Sequence, residues 1–300
     1  MTFIYKRQVL KILIIKLGFS ETLDEEISRF SSLGDVLRTT PILHTLKQQY
    51  PKSHITWLVD DAPFALLKSN KYIDRILVWD SFVGFQLLEE RFDVVINLEK
   101  IPGLCAITNR MNAWKKYGFR FDEMKGSYDV YQGSEYAFDL CTKHEIKKNN
   151  DKIWQQVLIE MVGGTWEEQP YILGYKPKTT EVNDVGFNYK VGPKFPHKAW
   201  DDANWKVLEG MLCKEDYTIS WQEGLENLYE YIDWIHSNRI IVTSDSLGLH
   251  IALALGKKVV ALFGPTSSRE VCFYHSQVIQ RETMSEISIE EVYEKIKSFG

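Results

Sequence analysis

Cysteine is scarce: there are four in 300 residues, Cys105, Cys141, Cys213 and Cys272. None falls in a C-x-x-C pair or near a histidine at zinc-finger spacing. A disulfide scaffold and a structural zinc site are therefore disfavoured, and the four read as reduced thiols of a cytoplasmic protein. No apolar run approaches the roughly 20 residues needed to cross a bilayer. The basic start Met1–Leu17 carries only the short apolar run Ile12–Ile15 and no small-residue cleavage site, so it reads as a strand rather than a signal peptide. Positive charge is not in excess. Lys and Arg number 36 against 41 Asp and Glu, a net charge of −5, which argues against a non-specific nucleic-acid binder. Chemical fingerprints are missing too. Without a G-x-G-x-x-G after the first strand, a dinucleotide dehydrogenase loses its main support. Gly256-Lys257-Lys258 lacks the upstream glycine and the Ser/Thr of a Walker A loop. Neither H-E-x-x-H nor D-x-D occurs, so no metal and no cofactor is expected.

What remains is ordinary globular composition, 44% apolar and 26% charged, with length for two domains of roughly 150 residues. Aromatics reach 13%. Their faces suit sugar rings, but large core side chains are the commoner use. Short β-rich apolar runs predict strands at Lys11–Leu17, Ile55–Asp60, Arg75–Trp79 and Asp93–Leu98. After a long helical middle come Val185–Val191, Tyr217–Trp221, Arg239–Ser244 and Lys258–Phe263. Helices are expected between them at Val36–Gln49, Ala62–Ser69, Asp201–Leu212, Leu225–His236, Gly248–Leu255 and Ile289–Ser298. The alternation implies α/β architecture with doubly wound parallel sheets. Gly163-Gly164, Pro170, Gly174 and Pro177 interrupt it, which places the boundary so that residues 1–170 and 171–300 form the two domains.

Three segments carry candidate chemistry. The loop Ser31-Ser32-Leu33-Gly34-Asp35-Val36 runs into a helix and puts a carboxylate at the helix start. Asp35 there is either a cap or a functional acid. Thr243-Ser244-Asp245-Ser246-Leu247-Gly248-Leu249-His250 and Val259-Val260-Ala261-Leu262-Phe263-Gly264-Pro265-Thr266 are strands ending in hydroxyl- and glycine-rich turns. Backbone N–H groups, with Ser246 and Thr266, suit a diphosphate. His250 is equally readable as a satisfied helix residue.

Together these blocks, with Lys198-Ala199-Trp200 and Trp205 downstream, resemble glycosyltransferase family 9, the ADP-heptose:lipopolysaccharide heptosyltransferases. The two longest motifs stand in the family's order, 210 residues apart. The resemblance implies a GT-B fold, with two Rossmann-like domains facing a central cleft, acceptor on the first and nucleotide-sugar on the second. The last helix is then a candidate to pack back on the first domain. It implies inversion at the anomeric centre without a metal. Position by position, Asp35 matches the family's general base, and Ser32 and Gly34 its acceptor-side loop. Lys198 matches the lysine near the donor diphosphate, where it assists catalysis. Asp245, Ser246, Gly248 and His250 match the donor signature, and Gly264 and Thr266 the turn beside it. The implied partners are a nucleotide-sugar, ADP-heptose first, and a glycan or lipid-linked glycan acceptor, with peripheral contact at the inner membrane open and no nucleic acid.

The sequence departs from the pattern in three places. Leu247 occupies the third position of the donor signature and glycine the fourth. The stretch between Trp205 and Arg239 is short, which leaves the nucleobase open. Thirteen residues, Gly18 to Phe30, separate the first strand from the loop. Thr22 to Glu25 reads as a capping box opening a short helix Leu23–Phe30, either a surface excursion or an acceptor gate. For an anionic acceptor the candidate contacts are Arg110, Lys115, Lys116 and Arg120, which follow the fourth strand; a solvated basic face is the alternative. The same fold with another nucleotide-sugar, or a catalytically silent binding protein, also remains, though a pure binder has no use for Asp35 as a base.

Overall fold

Strands form where short apolar runs can be buried on both faces, and helices pack over those faces. The computed structural model describes residues 9–19, 32–192 and 195–300; the expected helix Leu23–Phe30 lies outside them. The chain divides into two units, Met1–Gln169 and Pro170–Gly300.

In the first unit the strands are β1 (Lys11–Ile15), β2 (His54–Val59), β3 (Arg75–Val78), β4 (Val94–Asn97), β5 (Lys115–Asp122) and β6 (Ser127–Val130). They form one sheet in the order β3-β2-β1-β4-β5-β6. All neighbours pair in parallel except the β5–β6 hairpin. Ile12, Leu13, Ile14 and Ile15 are fully buried at its centre. The helices are α1 (Leu33–Thr39), α2 (Ile42–Gln49), α3 (Phe64–Leu67), α4 (Ser81–Glu89), α5 (Pro102–Arg110), α6 (Glu135–Thr142), α7 (His144–Asn149) and α8 (Trp154–Met161). After β1 the chain winds outward through β2 and β3, then returns to place β4 on the other side of β1. The carboxyl ends of β1 and β4 are thus a topological switch point, where open α/β sheets bind ligands.

The second unit has β7 (Asn183–Asn188), β8 (Ile219–Trp221), β9 (Asn238–Ser244), β10 (Lys258–Phe263) and β11 (Gln277–Gln280), in the order β11-β10-β9-β7-β8, all parallel. Its helices are α9 (Asp202–Cys213), α10 (Leu228–His236), α11 (Leu247–Ala254) and α12 (Ile289–Lys297). Its switch point lies between β7 and β9. Trp200 and Trp205 are buried in its core with Phe187, so these two tryptophans are structural; Val292 and Ile296 of α12 belong to the same core.

Three expectations need correcting. The single helix Val36–Gln49 is two helices, because Pro41 has no N–H to continue the ladder, and Thr40 instead closes a tighter turn onto Leu37 O at 3.0 Å. The helical middle contains the β5–β6 hairpin. Its strand Lys-Lys-Tyr-Gly-Phe-Arg-Phe-Asp has charges and a glycine that hide the strand pattern. β11, only four residues at the sheet edge, was also outside the expected set. Among the described residues no helix is long and apolar enough to cross a membrane.

Candidate active site

In the first unit α1 leaves from the carboxyl end of β1. Gly18 turns the chain with φ +104°, and its carbonyl accepts the Ser32 N–H. Ser32 O accepts the Asp35 N–H at 3.1 Å, which sets Asp35 in the first helical turn. Val36 and Leu37 are buried beneath, so the opposite side of the helix carries Asp35. Its side chain is 13% exposed, and Arg38 Nη1 stands 3.5 Å from Oδ1. Ser32 and Gly34 are half-buried on either side of Leu33.

The four basic residues do not form one acceptor patch. Lys115 and Lys116 pair in register with Val94 and Val95. They open β5 at the amino edge of the sheet, whereas Asp35 follows the carboxyl edge. Arg110 ends α5 at that same amino edge, because the helix runs back antiparallel to the strands. Lys116 Nζ donates to Thr108 O at 2.8 Å and Asn109 O at 3.1 Å, which caps α5; burial pulls its pKa down. Only Arg120 lies beyond the carboxyl edge, and it binds Asp129 Oδ2 at 2.6 Å and Val130 O at 2.9 Å. Closeness in sequence misled here because a strand carries its residues from one edge of the sheet to the other.

In the second unit the donor candidates do converge. β9 ends at Ser244, and Asp245 and Ser246 lead into α11, whose N-cap Ser246 makes no capping bond with its side chain. A 3₁₀ turn, Pro196–Lys198, presents Lys198. It is anchored by Trp200, whose indole N–H donates to Ile287 O at 3.2 Å. Lys198 Nζ sits 2.6 Å from Asp245 Oδ2. Burial pushes the Asp245 carboxyl up, but the Lys198 charge and hydrogen bond, helped by His250 and Thr266, hold it below its ordinary value of 3.8. Thr266 Oγ1 is buried and makes no hydrogen bond of sound geometry, although it lies close enough to favour the Asp245 charge. Ser244 Oγ is also buried without a partner. His250 is 5% exposed, with Nδ1 3.2 Å from Tyr171 OH. Gly264 lies against Met284, whose N would be 2.8 Å from an added Cβ.

Sequence reasoning missed the clasp beneath this turn. Asn188, fully buried at the end of β7, donates to Thr243 Oγ1 at 2.7 Å and Ser246 Oγ at 3.0 Å. It accepts the Tyr231 hydroxyl at 2.5 Å. Gly248 touches this clasp: an added Cβ would lie 2.4 Å from both Asn188 Nδ2 and Tyr231 OH. The fourth-position glycine therefore has a packing reason. An asparagine ending an apolar strand was the available signal, present in β7 and again as Asn97 in β4.

Residues 224–296 match the sequence profile of glycosyltransferase family 9 (heptosyltransferase). Lipopolysaccharide heptosyltransferase 1 of Campylobacter coli is 21% identical over 299 residues, covering 82% of this chain and 85% of that protein. Lipooligosaccharide heptosyltransferase 2 of Haemophilus influenzae is 25% identical, covering 79% and 82%. Among solved structures, E. coli ADP-heptose lps heptosyltransferase II superposes with TM-score 0.71 at 16% identity, covering 96% of this chain and 98% of its own. E. coli heptosyltransferase WaaC with ADP gives 0.68 at 15%, covering 97% and 100%. The fold is thus GT-B, built from two Rossmann-like domains.

Proposed function

We propose that the chain is a family 9 glycosyltransferase, as its profile match over residues 224–296 and its relatives suggest, and that it moves a heptose from ADP-heptose to a lipopolysaccharide-core hydroxyl, inverting the anomeric carbon without a metal. The relatives' names support the reaction class. A neighbour solved with ADP-2-deoxy-2-fluoro heptose supports the donor. The observation that carries the reading is the Lys198–Asp245 contact of 2.6 Å at the mouth of α11, beside the buried Ser244 and Thr266 hydroxyls. It places a cation, uncapped helical N–H groups and spare donors together, the set a diphosphate requires.

The acceptor hydroxyl oxygen attacks the anomeric carbon, and Asp35 takes its proton. The bond from that carbon to the diphosphate oxygen breaks, and ADP leaves with the electron pair. An ammonium has three N–H donors, so Lys198 holds Asp245 with one and a phosphate oxygen with another, offsetting charge on the leaving group. Ser32 and Gly34 flank Asp35 as the acceptor side.

The test is transfer measured as ADP release from ADP-heptose with a core acceptor. Asp35→Asn is expected to lower kcat by roughly 10²–10⁴ with donor Kd unchanged by calorimetry. Lys198→Ala is expected to weaken donor binding and kcat together. Normal turnover in Asp35→Asn overturns the base, and a strict divalent-cation requirement overturns the metal-free step.

A further inference from the structure

A buried ion pair at the switch point of the first unit has no part in the chemistry above. Lys16 follows β1 and is fully buried; Glu99 follows β4 and is 2% exposed. Lys16 Nζ lies 3.5 Å from Glu99 Oε1. That oxygen also accepts the N–H of Leu17 at 2.7 Å and of Gly18 at 3.0 Å. Lys16 Nζ reaches Phe19 O at 3.4 Å. Both charges are thus turned onto the backbone where β1 ends. Glu99 is itself held at both sides: its N–H donates to Asn97 Oδ1 at 3.1 Å and its carbonyl accepts Cys105 Sγ at 3.3 Å.

From Glu99 a short series of bonds runs to the candidate base. Glu99 binds the Gly18 N–H, Gly18 O binds the Ser32 N–H, and Ser32 O binds the Asp35 N–H. Gly18 also packs tightly on α1, since an added Cβ would lie 3.0 Å from Val36 Cγ2. A buried pair is seldom better for stability than apolar residues of the same volume. What a carboxylate supplies that an apolar side chain cannot is a fixed acceptor for two particular N–H groups.

We propose that Glu99, charge-balanced by Lys16, is a positioning residue for Asp35. It sets the height of the β1 exit, and so of the first turn of α1. The proposal rests on the reading of Asp35 as the base, and the experiment separates the two.

Four proteins are compared with wild type in the ADP-release assay, by donor calorimetry and by thermal unfolding. They are Asp35→Asn, Glu99→Asp, Lys16→Met/Glu99→Gln and Lys16→Met/Glu99→Leu. Both double variants remove the Lys16 and Glu99 charges together, but only Gln keeps an acceptor oxygen. The Leu double is expected to lose about tenfold or more in kcat, because displacing a reacting group by 1 Å can cost on the order of 10²-fold. Its donor Kd should stay at the wild-type value. The Gln double is expected to return kcat to near wild type. If the Leu double fails to fold, Glu99→Asp decides. It keeps the charge but draws the carboxylate back by one methylene, and is expected to lower kcat with donor Kd unchanged. Wild-type kcat in the folded Leu double, or in Glu99→Asp, overturns the positioning role while Asp35→Asn remains inactive. Equal losses in the Gln and Leu doubles, or loss of donor affinity with kcat, overturn it as well. Normal turnover in Asp35→Asn overturns the base itself.

Discussion

At the scale of single residues, charge and close approach decide the outcome. The Asp245 carboxyl is lowered in the folded state. Its contribution to stability is therefore complete above the unfolded value near 3.8 and is lost as pH falls through the folded value below it. Lys198→Met removes the largest opposition to burial, leaving only His250 and Thr266 against it, so the same carboxyl rises. The melting-temperature gap between wild type and Lys198→Met should be widest near about pH 7 and narrow toward about pH 4; a constant gap in a pH series of melts would refute the pairing. Gly248→Ala sets two effects against each other. Alanine gains roughly 1 kcal/mol of helix propensity, but its Cβ would meet Asn188 Nδ2 and Tyr231 OH at 2.4 Å. Overpacking costs about 1–3 kcal/mol, and the broken buried bonds add about 1–3 more. The variant should be less stable in denaturant melts and weaker for ADP. Asp35, Lys198 and Asp245 stand out in the sequence as candidates because each lies in a contiguous motif. The Asn188–Tyr231 contact is not readable in that way, since 43 residues separate the two and only the packing of α10 on the sheet brings them together.

At the scale of elements, caps and breaks carry the local information. Asp80, Asp201, Asn227 and Ser288 each cap the helix that follows through a side-chain oxygen. Asp80→Ala should cost about 1 kcal/mol, readable as a small shift in the urea midpoint. The β5 strand depends on one residue. Gly118 has φ +84°, and a Cβ there would stand 1.9 Å from Asn97 O, the backbone of the neighbouring strand. No side chain can yield to relieve it. Gly118→Ala should therefore destabilise by about 3 kcal/mol or more, among the larger effects of single substitutions. A melting temperature within about 2 °C of wild type, less than about 1 kcal/mol in a unit of this size, would contradict that. The strand itself escaped sequence reading for the same cause: a glycine interrupts it, and its second half pairs with β6 as a two-stranded ribbon rather than within the buried parallel sheet.

At the scale of the whole chain, the two units solve one problem alike. Each winds outward from a first strand and returns across it, and in each an asparagine ends a strand at the crossing, Asn97 on β4 and Asn188 on β7. The apolar runs gave away the parallel strands, because full burial on both faces leaves no room for polar alternation. Edge strands and hairpins, half-exposed and short, left no such mark. The Gly18–Ser32 hydrogen bond ties the start of α1 to the end of β1 through main-chain atoms alone, so its loss is read through the donor. Ser32→Pro, which has no N–H to give, should melt below wild type in a thermal scan; an unchanged melting temperature would show that the tie carries no weight.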